Sequence, residues 1–155
     1  MTRPVPGPET LAQLVCGVTQ TMFGERFALG APERVAPWAQ QPPWCAVLLP
    51  IPGERAVQVA IAADRVAGMT LGGWVFGCPT SSVDDSIVLD SLRELANIVA
   101  GQVKLAMDLD QALGLPRVVE SADWQQLERH PWRAATLDGQ QGRCRVWVAV
   151  CEAAT

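Results

Sequence analysis

The chain has 155 residues, of which 49% are hydrophobic and 18% charged, with a formal net charge of −4. That suits one folded domain with a real core and argues against disordered and membrane-spanning classes, since no apolar run reaches the ~20 residues that cross a bilayer. The basic residues are dispersed, which leaves no footprint for nucleic acid. Cys16, Cys45, Cys78, Cys144 and Cys151 share no C-x-x-C spacing, so neither a disulfide framework nor a zinc site is expected, and small buried apolar roles suit them. The opening "MTRPVPGPET" lacks an apolar stretch after Arg3; no secretory signal is expected, and a cytoplasmic protein is the default.

Pro8 and Glu9 suit the first turn of a helix, and Leu11, Leu14, Val15, Val18 and Met22 then recur at helical spacing, with Gly24 as a stop. A short strand is expected over 26–30 and an irregular loop from Gly30 to Pro43. The segments "WCAVLLP" (44–50) and "AVQVAIAA" (56–63) read as strands joined through "IPGER" in a hairpin. Residues 64–71 read as a short helix ended by Gly72-Gly73, and "FGCPTS" as an irregular link.

The longest periodic segment follows, from about 83 to 110. Ser82 with Asp85 forms a capping pair for its start, and Gly114 a stop. Val88, Leu92, Leu95, Val99 and Ala106 form a stripe that should pack on a sheet, while Asp90, Glu94, Asn97, Gly101 and Lys104 lie opposite. "LPRVVE" begins an extended piece at a proline, and "WRAATL" (132–137) with "CRVWVAVC" (144–151) flank the hairpin-like "DGQQG". No repeat at a fixed period is visible and no linker divides the chain. The fold class is therefore α+β: a single domain with a mainly antiparallel sheet covered by helices.

Few residues point to chemistry. His130 in "ERHPW" reads as a surface residue; Ser81, Ser82, Asp84 and Asp85 lack a nucleophile elbow and read as capping. Cys78 has no cation beside it in sequence, which suits an inert thiol. "LGGW" (71–74) lacks the rest of a phosphate loop, and the six tryptophans suit core and loop packing. Glu94 and Asn97 differ, because positions i and i+3 project from one helix face. A carboxylate there can hold a cation, and the amide offers both donor and acceptor, enough to position a water without acting as a base. Gly101, one turn on, leaves the surface open to a close approach. By spacing alone a solvated helix face is the better account of such a pair. Asn97 is the only asparagine and Lys104 the only lysine in the chain.

The stretch "DDSIVLDSLRELANIVAGQVKLAMDLDQALGLPRVVES" (84–121) resembles the CheC/CheX/FliY family of chemotaxis phosphatases, CheX most closely. "ELANIVAG" is similar to the family's E-x-x-N helix with its following glycine, "GLPRVV" to the strand after it, and "VQVAIAADRVAGMTLGG" to the elements before it. The likeness covers about residues 44–150, and the presence of one E-x-x-N favours CheX over CheC. The resemblance implies a phosphatase of phosphorylated CheY-like receiver domains in chemotaxis or two-component signalling. In it Asn97 would orient the attacking water, and Glu94 would pair with the receiver's lysine. Asp90, Gly101 and Lys104 are possible receiver contacts. It implies no cofactor of the chain's own, magnesium being supplied by the receiver, and a homodimer formed through the sheets, with no nucleic-acid or membrane partner. The alternative is a non-catalytic CheX-like receiver-binding or scaffold module.

Overall fold

The structure is a computed structural model that describes residues 3–23, 28–29, 45–119, 132–138 and 145–152. Helix α1 spans Pro8–Phe23 and opens on the proline and Glu9 as expected, with the Leu11 N–H donating to the Gly7 carbonyl at 3.0 Å. Its inner face buries Leu11, Ala12, Val15 and Val18, with Leu14 partly buried; the side chain of Met22, the Gly24 stop and the 30–43 loop lie outside the described residues. Strand β1 is Ala28–Leu29. Strands β2 (Cys45–Ile51) and β3 (Val57–Ala63) form the anticipated hairpin, in register from Ile51↔Val57 to Cys45↔Ala63.

Helix α2, Arg65–Phe76, is longer than its glycines suggested. It is capped by Asp64, whose carboxylate accepts from Ala67 N–H at 2.8 Å and from Arg145 N–H at 2.9 Å. It runs through Gly72 and Gly73 and stops at Gly77, left-handed at φ 62°. The paired glycines therefore permit close approach and do not end the helix. A Cβ on Gly72 would lie 2.8 Å from Val83 Cγ1, and one on Gly73 would lie 2.9 Å from the Cys78 carbonyl oxygen. After a short 3-10 turn at Thr80–Ser82 comes α3, Asp85–Met107, two or three residues shorter at each end than the periodicity indicated. Its cap is Asp84, not the Ser82–Asp85 pair: the Asp84 carboxylate accepts from Ile87 N–H at 2.9 Å and from the Ser86 hydroxyl at 2.8 Å. Those hydrogen bonds, the Ile87 one foremost, hold its carboxyl below the usual carboxylate range.

The helix ends at Asp108 in the left-handed region (φ 55°), with Leu109 N–H returning to the Lys104 carbonyl at 3.0 Å. Gly114 has a different task. Its N–H donates to the Pro50 carbonyl at 2.7 Å, and a Cβ there would strike Pro50. Beyond it lie β4 (Arg117–Val118), β5 (Arg133–Asp138) and β6 (Arg145–Glu152), the last two antiparallel as expected; their connecting turn is outside the described residues.

The described strands make one antiparallel sheet in the order β1-β5-β6-β3-β2-β4. Val47, Leu49, Ile51, Val57, Val59, Ile61, Val146, Val148 and Val150 face α1, α2 and α3. The alternate residues Ala46, Leu48, Ala60, Ala62, Ala134, Trp147 and Ala149 form a second buried cluster on the other side. Burial at about 25 cal/mol per Å² of apolar surface makes the first layer the main source of stability.

This order hides a repeat that periodicity did not reveal. Exchanging α1-β1-β2-β3 with α3-β4-β5-β6 reproduces the pairing: β1·β5 corresponds to β4·β2, β2·β3 to β5·β6, and β3·β6 lies across the pseudo-two-fold at Ala60↔Ala149. Sequence follows, "VQVAIAA" of β3 against "VWVAVCE" of β6 and "LAQLVCG" of α1 against "LANIVAG" of α3. The spacing between copies differs from helix to strand, and α2 lies between the two copies, so no constant period exists to be found.

One ion pair ties the sheet to its hairpin. Arg55 Nε and Nη2 donate to the two Glu152 carboxylate oxygens at 2.7 and 3.0 Å, and its Nη1 donates to the Arg3 carbonyl. The guanidinium holds the Glu152 carboxyl below its ordinary value near 4.5. The pair therefore contributes in full above that value and is lost as pH falls through the lowered one. Since both groups are partly exposed, the contribution is about 0.2–1 kcal/mol. Acid titration of wild type and Glu152→Gln should show the variant losing less stability below pH 4.5. Gly73→Ala should destabilise by about 1–2 kcal/mol in urea unfolding, because overpacking against fixed backbone outweighs the gain in helix propensity.

Candidate functional site

The rotational setting of α3 decides what its outer face offers. Val88, Ser91, Leu92, Leu95, Ala96, Val99, Ala100, Val103 and Met107 are buried against β2, β3 and the neighbouring helices. The stripe thus continues through Val103 and Met107 and not through Ala106, which is only half-buried. Ser91 is tolerated in it because its hydroxyl donates to the Ile87 carbonyl at 2.7 Å. With that face inward, Asp90, Glu94 and Asn97 are exposed, and Gly101 and Lys104 half-buried.

The charges along this stripe are unequal. Asp90 accepts from Arg93 Nη1 at 2.8 Å, an i,i+3 pair that compensates its charge. Arg93 was not among the residues singled out from sequence, although its spacing from Asp90 carries the signal. Glu94 and Asn97 have no hydrogen-bond or ion-pair partner among the described residues. The stripe therefore presents one uncompensated carboxylate beside one unengaged amide, with Cβ atoms about 5–6 Å apart by helix geometry. Around Gly101 an added Cβ would meet nothing within 4 Å, so the glycine lowers the helix surface next to the amide. Lys104 sits in the last turn, where its charge favourably meets the helix C-terminal dipole.

The other candidates are not brought to this face. Ser81 and Ser82 are exposed in the 3-10 turn, and Asp84 is occupied as a cap. Cys78 is half-buried with its N–H on the Gly73 carbonyl. Burial pushes the Cys45 thiol up to about 12, with Asp85 and Asp64 adding to it, which removes it as a nucleophile near neutral pH. His130, Cys144, Trp38, Trp44 and Trp124 lie outside the described residues. Trp147 is buried, and Trp74 and Trp132 are half-buried. A cavity of about 330 Å³ lined by Glu54, Arg55 and the segment 108–111 lies at the far end of α3 and includes neither Glu94 nor Asn97. Among the described residues no three His, Cys, Asp or Glu side chains converge to hold a metal ion, and no helix is long and apolar enough to cross a membrane.

What the stripe can do follows from its shape. An exposed helix face cannot enclose a small molecule, but it can insert an amide and a carboxylate into a site that another macromolecule provides. Gly101→Ala should raise thermal stability, by about 0.5–1 kcal/mol, since it improves helix propensity and meets no atom; a fall in stability would show that the helix is seated otherwise.

No family model matches the chain, and no curated protein sequence matches it either. Solved structures do. The chain is similar to chemotaxis protein CheX from Desulfovibrio desulfuricans, with a TM-score of 0.68 at 16% identity over 94% of this chain and 97% of that one. It is similar to the CheX–CheY–BeF3–Mg complex structure from Borrelia burgdorferi, at 0.71 and 13% identity over 97% of this chain and 100% of that one. A FliM–SpeE complex structure from H. pylori also matches, at 0.64 and 10% identity over 92% and 82%. The α+β fold of this chain is that of the CheX and CheC-like chemotaxis proteins.

Proposed function

We propose that the chain is a phosphatase of phosphorylated receiver domains, working through Glu94 and Asn97 on the outer face of α3. The observation that carries this is the pairing of an exposed carboxylate and an exposed amide, neither with a partner among the described residues, beside the open surface at Gly101. Two likenesses support it: the "ELANIVAG" resemblance to the E-x-x-N helix, and the fold shared with a CheX solved in complex with CheY, BeF3 and magnesium.

In this reading a water oxygen attacks the phosphorus of the receiver's aspartyl phosphate. The bond from phosphorus to the carboxylate oxygen breaks, its electron pair returns to the aspartate, and the water's proton leaves with phosphate or solvent. The Asn97 amide oxygen accepts a hydrogen bond from the water and turns its lone pair toward phosphorus; a neutral amide positions and does not deprotonate. Phosphoryl transfer depends mainly on such positioning and on charge neutralisation. Glu94 binds the receiver's lysine ammonium, an ion pair that gains strength once the interface excludes water. Asp90, Gly101 and Lys104 line the contact. The magnesium belongs to the receiver, and the chain acts as a cytoplasmic homodimer.

A second reading is a receiver-binding or scaffold module without turnover. It is favoured by the fold's occurrence in FliM, solved in complex with SpeE, which shows that this architecture is not confined to CheX.

Phosphate release from purified phosphorylated receivers separates the two. Asn97→Ala should slow accelerated release at least about a hundredfold, as loss of a positioned polar group does, with stability within about 0.5 kcal/mol of wild type because the residue is exposed. Glu94→Ala should mainly raise the receiver concentration needed for half-maximal rate. Wild-type protein that binds a phosphorylated receiver and leaves its decay rate unchanged would establish the scaffold instead.

A further inference from the structure

The neighbour that the proposed reaction leaves idle is Arg93. It lies four residues before Asn97, about 6 Å along the helix axis and about 40° around it, so both side chains leave the same face one turn apart. Its guanidinium is partly exposed and is held by one bond, Nη1 donating to Asp90 Oδ1 at 2.8 Å. Its Nε and Nη2 have no partner among the described residues. The other cation of α3, Lys104, stands seven residues beyond Asn97, about 10 Å along the axis, in the last turn.

The charge balance of this face calls for that cation. Asp90 and Glu94 stand four residues apart, a like-charge spacing that by itself disfavours the helix, and an incoming phosphoryl group brings further negative charge to Asn97. Glu94 is committed to the receiver's ammonium in the function proposed above. Arg93 is the cation within one turn of the amide, and leaving Asp90 costs it little, because exposed ion pairs contribute weakly to stability. A bond from arginine to a phosphoryl oxygen is charge-assisted at both ends, and the planar fork can grip two oxygens at once. The guanidinium gains by changing partner.

We infer that Arg93 is a third catalytic residue of α3, which leaves Asp90 and donates to the phosphoryl oxygens of the receiver's aspartyl phosphate as it is hydrolysed. This rests on the function proposed for Glu94 and Asn97. The bonds made and broken are unchanged. Water oxygen adds to phosphorus, the bond to the receiver's carboxylate oxygen breaks with its electron pair returning to the aspartate, and the water's proton leaves with phosphate or solvent. Arg93 forms no covalent bond and gives up no proton, since a guanidinium stays charged throughout. It neutralises charge on the oxygens while Asn97 aims the water, and Asp90 is the latch that holds it between encounters.

Two substitutions that break the same ion pair should therefore act in opposite directions. Phosphate release is followed over a range of concentrations of a phosphorylated receiver. Arg93→Ala should lower kcat about tenfold, the worth of one hydrogen bond to a charged group, with a smaller change in KM. Asp90→Asn, which frees the guanidinium, should raise the rate about threefold, and adding Arg93→Ala should abolish that gain. Arg93→Lys should restore only part of the loss, because an ammonium keeps the charge without the fork. Urea unfolding should place every variant close to wild type, as suits exposed positions. A pair that only steadies the helix would give Arg93→Ala and Asp90→Asn the same small effect. That result, or Arg93→Ala at the wild-type kcat, overturns the role of Arg93. Asn97→Ala, measured alongside, separates the two readings. An active wild type that Asn97→Ala disables and Arg93→Ala does not leaves the α3 phosphatase standing and removes Arg93 alone, whereas a wild type that accelerates no receiver removes both.

Discussion

The seating of α3 across β2 and β3 is the constraint on which the rest depends. Nine residues of the helix, from Val88 to Met107, are buried, and a rotation of the helix by one residue, about 100°, would drive Glu94 or Asn97 into an apolar layer with no partner for either. Burying such groups unpaired costs more than the surface they cover returns. The same hydrophobic stripe that holds the domain together thus aims the polar stripe outward. Both ends are pinned by aspartates, Asp84 accepting at the start and Asp108 turning left-handed at the finish. Gly72 lets α2 pack close against the entry to the helix.

The site that results is a convex one. In the function proposed above, its side chains are presented by a rigid helix and complete their chemistry only against a partner, so that reading calls for neither a pocket nor a metal of the chain's own. That economy also explains why fold alone says little about activity: the same architecture serves CheX and FliM, and what separates one use from another is the identity of a few outward residues. Here those residues are a carboxylate and an amide, neither with a partner among the described residues, while the neighbouring Asp90 is quieted by Arg93.

Much of this was legible in the sequence because hydrophobic periodicity reports directly on burial. The elements, the two hairpins, and the outward placement of Glu94 and Asn97 all follow from spacing. What was misread has common physical causes. Gly72-Gly73 and Gly114 read from sequence as helix stops, whereas they relieve contacts with Val83, the Cys78 carbonyl and Pro50, partners that are distant or unmarked in sequence. The true stop of α3 is an aspartate at positive φ, a conformation its side chain does not announce. Asp84 displaced Ser82 as the cap because two potential caps stand close together and only the chain's path chooses between them. The repeat escaped for a different reason: α1 and α3 share inner residues that any amphipathic helix shares, and only the strand pairing shows that the likeness is architectural.

The pairing pattern described above has a consequence for the chain as a piece of material. Strand β1 bonds to β5 and strand β4 to β2, so each half lends its short strand to the other, like two hands with fingers interlaced. Neither half closes its own sheet. Were the backbone severed in the link between α2 and α3, each fragment would carry a three-strand set with a bare edge and an unmatched helix. Each would then have more to gain from its complement than from collapse on itself. Mixed, the two pieces should regain an ordered fold that neither shows alone, so that the intact polypeptide behaves as a heterodimer of its own halves held together by one covalent tether.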